Sequence, residues 1–221
     1  MQFFRKYGFY LMITAVISEI VGPLVFGLFY QDYNHTTMLI SSFGEDKSPV
    51  KLVFDWWQII DGLLFIFAIP AFYQRFKGTS LWLTRGMCFM IFLYAVGDCV
   101  MTGIFSKTGH AEPTTIDIIH NYASGIGFGA FLVGTIFLVC LYYLERKKEI
   151  LFVLVLVLML SIGSMFIYML PNFPLNISDA SMSETRGLWQ RLNLIFLYLP
   201  FFLVAVGQYY QPKWLMNKSL F

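Results

Sequence analysis

Six long apolar runs separated by short polar breaks set the pattern of this chain, at about residues 8–30, 53–73, 81–105, 115–144, 150–170 and 188–210. An apolar run of about 18 or more residues is long enough to cross the hydrocarbon of a bilayer. Only helices or closed barrels satisfy their backbone there, and these runs are too long and continuous for barrel strands. The pattern predicts an all-α, polytopic membrane protein: a single domain over residues 1–221 with six transmembrane helices. Pro23, Pro70 and Pro200 fall inside spans, where neighbouring helices can satisfy a kinked backbone. The first run is as long as a true span and lacks a small-residue cleavage site, so it is expected to target the chain and remain in it.

Polar residues interrupt these runs at related depths. At a rise of about 1.5 Å per residue, Asp61 lies roughly 12 Å, Asp98 roughly 10 Å and His120 roughly 7 Å from the same end of the bundle. Gln190 and Arg191 stand in the first turn of the sixth span. Helical spacing groups them further. Asp55, Gln58 and Asp61 form one stripe, Tyr94, Asp98 and Met101 or Thr102 a second, and Asp117, His120, Asn121 and Ser124 a third. Three polar stripes on three helices are expected to converge, with Arg191 paired to Asp61 or Asp98. Glu19 stands apart near the middle of the first span, beside Ser18 and ahead of Gly22 and Pro23. Both a structural and a pocket role are open to it.

Composition strengthens the membrane reading. The chain is 58% hydrophobic and 13% charged, whereas soluble domains average about 45–50% apolar and about 25% charged. The net charge of +2 comes from basic residues scattered in short loops, which is no nucleic-acid footprint. Ten of the fifteen basic residues fall on the side of the N-terminus: Arg5, Lys6, Arg75, Lys77, Arg85, Arg146, Lys147, Lys148, Lys213 and Lys218. By the positive-inside rule both termini are predicted cytoplasmic. The loops 31–52, 106–114 and 171–187 then face outside. Asn34-His35-Thr36 and Asn176-Ile177-Ser178 have the form of glycosylation sequons on that side, relevant only in a eukaryotic secretory host. Cys88, Cys99 and Cys140 all lie within spans; an odd number without CxxC spacing argues against a disulfide framework or a zinc site.

The chemistry-capable residues gather between Tyr94 and Ser124, which hold Asp98, His110, Glu112, Asp117 and His120. No HExxH, GxSxG or phosphate-loop signature is present. A metal site combining His110, His120, Asp98 and Glu112 or Asp117 matches no familiar spacing, so no metal and no cofactor are expected. If the protein is an enzyme, hydrolysis or acyl transfer fits best. His120 would be the general base, Asp98 or Asp117 its orienting acid, and Arg191 the partner of a developing anion. The competing reading is structural: the same residues are ion pairs and hydrogen bonds that fix helix packing. On that reading His35, His110 and Glu112 are solvated loop residues. Gly125, Gly127 and Gly129 read as close-packing positions in either case. A transporter is disfavoured, because paired broken half-helices are missing.

Several short motifs occur in a telling order. The first outer loop reads NHTTMLISSFGEDKSP; GIFSKTG ends the third span; IDIIHNYAS opens the fourth; RGLWQRLN opens the sixth. Together they resemble the bacterial and archaeal six-span family catalogued as domain of unknown function 998, related in architecture to Frag1/DRAM/Sfk1-like membrane proteins. The resemblance covers about residues 10–210. It carries over onto Ile40, Ser41, Phe43, Gly44, Ser48 and Pro49, then Gly103 and Phe105, then His120, then Gln190 and Arg191. Phe43 stands where the family has Leu, and Ser106 where it has Pro. The resemblance implies a fold and a site but no activity. A looser likeness, of architecture alone, is to the androgen-induced hydrolases of fatty-acid esters.

Sequence and resemblance together lead to a protein of the bacterial cytoplasmic membrane with a polar pocket open to the outer face. The pocket is expected to bind or process a lipid or other amphiphile. Its lining would be Asp61, Asp98, His120, Gln190 and Arg191, with Ser41 and Gly44 on a segment folded over it. Membrane lipids are the expected partners, and nucleic acid is not. The alternative is a non-enzymatic partner or sensor subunit whose polar cluster only fixes the packing.

Overall fold

In a computed structural model, which describes residues 2–170 and 184–210, six helices are long and apolar enough to cross a membrane. They are α1 (Gln2–Leu28), α2 (Lys51–Phe76), α3 (Leu81–Ile104), α4 (Thr115–Leu144), α5 (Lys148–Met169) and α6 (Arg186–Tyr210). Their bounds fall within a few residues of the apolar runs. The described residues contain no strand. The third outer loop lies mostly outside the described residues, as do the Asn176 sequon and Lys213 and Lys218.

The helices pack as a closed ring in chain order. Each touches the next, α6 returns to α1, and α4 reaches across to α6. An even number of spans puts both chain ends on one face. The centre of the ring is aromatic: Phe65, Tyr94, Phe131, Tyr198 and Phe201 are all buried. Tyr94 and Phe131 lie 4.1 Å apart, and Phe131 stacks on Phe201 at 4.3 Å. The outside of the ring is apolar too, with Leu28 82% and Phe152 71% exposed. Apolar surface on that scale has lipid as its solvent. α5 carries it furthest: it has the highest mean hydropathy of the six, 2.9, and the smallest buried share.

Small residues bring α2, α3 and α4 close together. A Cβ on Gly97 would stand 2.8 Å from the Ala123 carbonyl oxygen, and one on Gly127 would stand 2.6 Å from the Asp98 Cβ. Gly62 and Gly103 make the matching approaches on the α2 side, to the carbonyls of Ala95 and Asp55. Of the three glycines expected to serve close packing in α4, only Gly127 does so; Gly125 and Gly129 face open space. At this level α3 is wound as a π-helix over Ala95–Met101. Such segments are rare and concentrate at functional sites. The Thr102 hydroxyl donates to the carbonyls of Asp98 and Cys99 within it.

The end of the bundle that carries the basic loops is tied by one ion pair. Arg75, at the end of α2, makes two parallel bonds of 2.6 and 2.7 Å to Glu145, just past α4, and Thr79 adds a third at 2.7 Å. Burial alone would raise the Glu145 pKa. The Arg75 and Thr79 hydrogen bonds and the Arg75 charge outweigh it and hold the carboxyl below its usual value. A carboxyl with a depressed folded-state pKa stabilises the fold above its unfolded pKa of about 4.3, and that contribution is lost as pH falls through the folded value. Glu145→Gln is therefore expected to lower the melting temperature in detergent at pH 7, by an amount matching the loss of about 1.5–3 kcal/mol for bonds to a charged group. The gap between variant and wild type should narrow below about pH 4. A gap that stays constant from pH 7 to pH 3 would contradict the pairing.

Candidate functional site

Near the opposite end, five helices and the loop between α1 and α2, which is expected to face outside, surround a narrow cleft of about 30 Å³. Its polar lining is Glu19 from α1, Gln58 from α2, Asp98 and Thr102 from α3, His120 and Ser124 from α4, Gln190 from α6, and Ser41 from the loop. Ile40, Phe54, Phe128 and Leu194 complete it. The stripes read from the sequence therefore converge, and Asp98, His120, Gln190 and Ser41 meet as expected. The segment Ile40–Gly44 forms a 3-10 turn, with Ile40 and Ser41 facing the cleft. Gly44 sits beside it; its carbonyl accepts a 2.6 Å bond from Lys51, which also reaches Ser106 at 2.7 Å.

The acids differ sharply in company. Asp98 Oδ1 accepts a 2.5 Å bond from Ser124. Glu19 Oε2 accepts from the Tyr198 hydroxyl at 3.1 Å, and that hydroxyl meets the Tyr94 hydroxyl at 2.6 Å. The Cys99 thiol lies 3.6 Å from Glu19 Oε1. Asp61 is 1% exposed, its Oδ2 has no hydrogen-bond partner, and it lies within electrostatic reach of Glu19. Gln58 is 6% exposed and its Oε1 is likewise without a partner. Among the described residues no Lys or Arg forms an ion pair with Glu19, Asp61 or Asp98.

Arg191 differs from the sequence expectation. It does not pair with Asp61 or Asp98. Its Nη1 donates to the carbonyls of His35, Met38 and Gly187 at 2.8–2.9 Å, and its Nη2 to the Tyr33 hydroxyl at 2.7 Å. The reason is directional: side chains on a helix lean toward its N-terminus. From the second turn of α6, Arg191 thus reaches back toward the loop, not down to the acids. Its neighbours serve the same junction. Gln190 Oε1 accepts from the Ile40 amide at 2.8 Å, and the Leu188 amide donates to the Thr36 carbonyl at 2.9 Å. A side chain on Gly187 would collide with the Met38 carbonyl. The RGLWQR motif is a clasp on the first outer loop.

Asp117 is committed elsewhere as well. It closes a capping box at the start of α4 with Thr114, and it also accepts bonds from the amide and hydroxyl of Thr108 at 2.9 and 2.7 Å. The spacing Thr114-x-x-Asp117 carried that signal. His120 is oriented by neither acid. Its Nδ1 lies 3.0 Å from the Phe105 carbonyl, one of the carbonyls that the end of α3 leaves unsatisfied. A carbonyl only accepts, so Nδ1 carries the hydrogen. His110 is exposed, 3.9 Å from Asp46, and Glu112 is exposed in the same loop. No group of three or more His, Cys, Asp or Glu among the described residues is arranged to hold a metal.

Tyr198 and Glu19 were the residues least legible as part of the site. Tyr198 continues the face of Gln190 and Leu194 at helical spacing, but a tyrosine in an apolar run reads as core. Glu19 sits on the helix farthest in sequence from Tyr198, and only ring closure joins them.

A second gap adjoins the cleft. Between α1 and α6 a mostly apolar groove of about 110 Å³ is lined by Ile20, Pro23 and Leu24 on one side and Arg191, Ile195 and Tyr198 on the other. Glu19, Ile40 and Leu194 line both spaces.

A family model described as "Protein of unknown function (DUF998)" matches residues 12–207. No curated protein and no solved structure matches the chain.

The clasp and the cleft can be separated by mutation. Arg191→Lys keeps the charge but loses the planar fork. It is expected to lower thermal stability and to make the bonds after Tyr33 and Arg186 more accessible to protease, at a loss of about 1.5–3 kcal/mol. Burial pushes the His35 imidazole pKa down, and the Arg191 charge adds to the shift. A histidine with a lowered folded-state pKa favours the fold above its unfolded pKa of about 6.5 and loses that contribution as pH falls below it. Loop cleavage in the wild type should rise between pH 7 and pH 5, and in His35→Gln it should not. Equal pH dependence in both would remove His35 from the clasp.

Proposed function

We propose that this chain, which belongs to the DUF998 family of unknown function, binds an amphiphile taken laterally from the surrounding lipid. The polar head would occupy the cleft between Glu19, Gln58, Asp98 and His120. The apolar chain would lie in the groove between α1 and α6. One observation carries this reading: Glu19, Ile40 and Leu194 belong to both spaces, so an acceptor-lined interior opens directly onto a lipid-facing seam. Ionisable side chains at membrane depth are costly, by about 2.5–3.5 kcal/mol each on insertion scales, and commonly mark ligand or ion paths. The distribution of basic loops favours the outer leaflet of the cytoplasmic membrane for this end of the bundle.

A catalytic extension has one specific observation behind it. With its Nδ1 hydrogen on Phe105, His120 leaves Nε2 as the basic nitrogen, and the imidazole faces the cleft beside Thr102 and Ser124. In a hydrolysis or acyl transfer it would act as general base. The rival reading, a partner or sensor subunit with a purely structural cluster, draws on the small size of the cleft and on the bonds that both Nη groups of Arg191 make to the loop.

Native mass spectrometry in mild detergent separates these readings. The wild type is expected to retain a lipid-sized mass. Leu194→Trp, which fills the seam, should lose it, and Phe152→Trp, on the lipid face of α5, should keep it. His120→Ala should retain the fold and alter the bound species. Clean apoprotein for the wild type would overturn the amphiphile reading and favour the partner subunit.

A further inference from the structure

The cleft has a one-sided chemistry. Its carboxyl groups are Glu19 and Asp98, and no Lys or Arg lines it. Apart from the Ser41 hydroxyl and the amide nitrogens of Gln58 and Gln190, the polar lining commits its donors elsewhere. Thr102 and Ser124 spend their hydroxyl hydrogens on Asp98, and His120 places its Nδ1 hydrogen on Phe105. The second observation is independent of the acids: Gln58 is 94% buried, lines the same cleft, and its carbonyl Oε1 has no hydrogen-bond partner. Buried acceptors left in this state are destabilising, and a donor from a bound molecule removes that cost. Asp61, also buried with an unpartnered oxygen, adds a third carboxyl within electrostatic reach of Glu19.

Size narrows the choice. About 30 Å³ holds one or two water-sized groups. A primary ammonium is of that size and brings three N–H donors and no acceptor, the complement of Glu19, Asp98 and Gln58. A trimethylammonium is too large, and it is recognised by aromatic cages. Here only Phe54 and Phe128 contribute rings to the lining. Phosphate or carboxylate heads would face two carboxyls. No cation in the lining offsets them: the two Nη groups of Arg191 are spent on three carbonyls and Tyr33, Lys51 is held by Gly44, Ser106, Asp46 and Asp55, and Lys107, whose charge acts on His120, does not line the cleft.

We infer that the head bound in the cleft is a primary ammonium group, held by Glu19, Asp98 and the Gln58 carbonyl, so that the ligand is a primary-amine amphiphile. This rests on the amphiphile reading above and names the class of head. The amine can belong to a single-chain amine or to an ethanolamine lipid, since both end in the same primary ammonium, carried on a hydrocarbon chain in the first and on a phosphodiester in the second. The groove of about 110 Å³ between α1 and α6 takes the first part of that tail, and the surrounding lipid takes the rest.

The test uses the full chain in neutral maltoside micelles, with equilibrium dialysis against empty micelles. Three probes share a twelve-carbon tail: dodecylamine, dodecanol and dodecyltrimethylammonium. The wild type is expected to bind dodecylamine at least about tenfold more tightly than either of the others, the scale of one charge-assisted bond. Glu19→Gln and Asp98→Asn should each lose that preference, while Glu145→Gln, at the far end of the bundle, keeps it. Gln58→Leu guards against a variant that merely misfolds. It removes a lone buried acceptor, so it should melt no lower than the wild type without ligand and still bind the amine about tenfold more weakly. Nanodiscs then separate the sources. Displacement of dodecylamine by phosphatidylethanolamine but not phosphatidylcholine assigns the site to a lipid, and displacement by neither assigns it to single-chain amines. Equal binding of amine and alcohol, or a preference for the trimethylammonium, would overturn the ammonium assignment while leaving an amphiphile site. Binding of none of the three would overturn both.

Discussion

Hydrocarbon offers no hydrogen bonds, and every polar group in this chain is placed by that constraint. The helices satisfy their own backbone. Side chains cannot, and so they collect where other side chains or loose carbonyls can serve them. The π-wound stretch of α3 is the clearest case. The Thr102 hydroxyl bonds back to carbonyls of this stretch, and Asp98, which it carries, lies within reach of Ser124. The close approach of Gly97 and Gly127 makes that placement possible, because any side chain there would push α3 and α4 apart. Polar site and tight packing are thus one arrangement.

The two ends of the bundle answer the same constraint differently. At the basic end Arg75 and Glu145 form a closed, two-pronged pair that leaves little to do but hold α2 to α4. At the other end the guanidinium of Arg191 is spent on backbone carbonyls of the first outer loop. This leaves Glu19, Asp61 and Asp98 without a basic partner among the described residues. A bundle seeking stability alone would gain by pairing them or replacing them with apolar groups of similar volume. Their persistence in an unpaired state, with Gln58 beside them, is what gives the cleft its character.

Much of this fold was legible in the sequence, because apolar runs of this length have a single physical interpretation. The site was legible in part. Asp98, His120 and Gln190 could be brought together from depth and helical phase alone. The partner of Arg191 could not, since phase gives the face of a residue and not the direction in which a long side chain leaves it. Asp117 was readable two ways, as an orienting acid or as the last member of a capping box, and the local signal was the stronger. Glu19 depended on ring closure, the pairing of the first helix with the last, which no local pattern encodes.

That closure also brings a groove against the cleft. At the seam of α1 and α6 the cleft and a lipid-facing groove share residues. The outer end of the seam is held by the clasp: Arg191, Gln190 and Gly187 bind the loop that carries Ile40 and Ser41, and this loop lies over the cleft. Water at this end of the bundle therefore meets a hydrogen-bonded cover, while lipid meets apolar side chains on either side of Glu19. On the proposed reading, an amphiphile that arrives sideways gives up little hydration of its tail and brings its head to acceptors that the fold leaves unused. Gln190 and Arg191 thus do two things: they line the cleft and the groove, and they hold the cover in place.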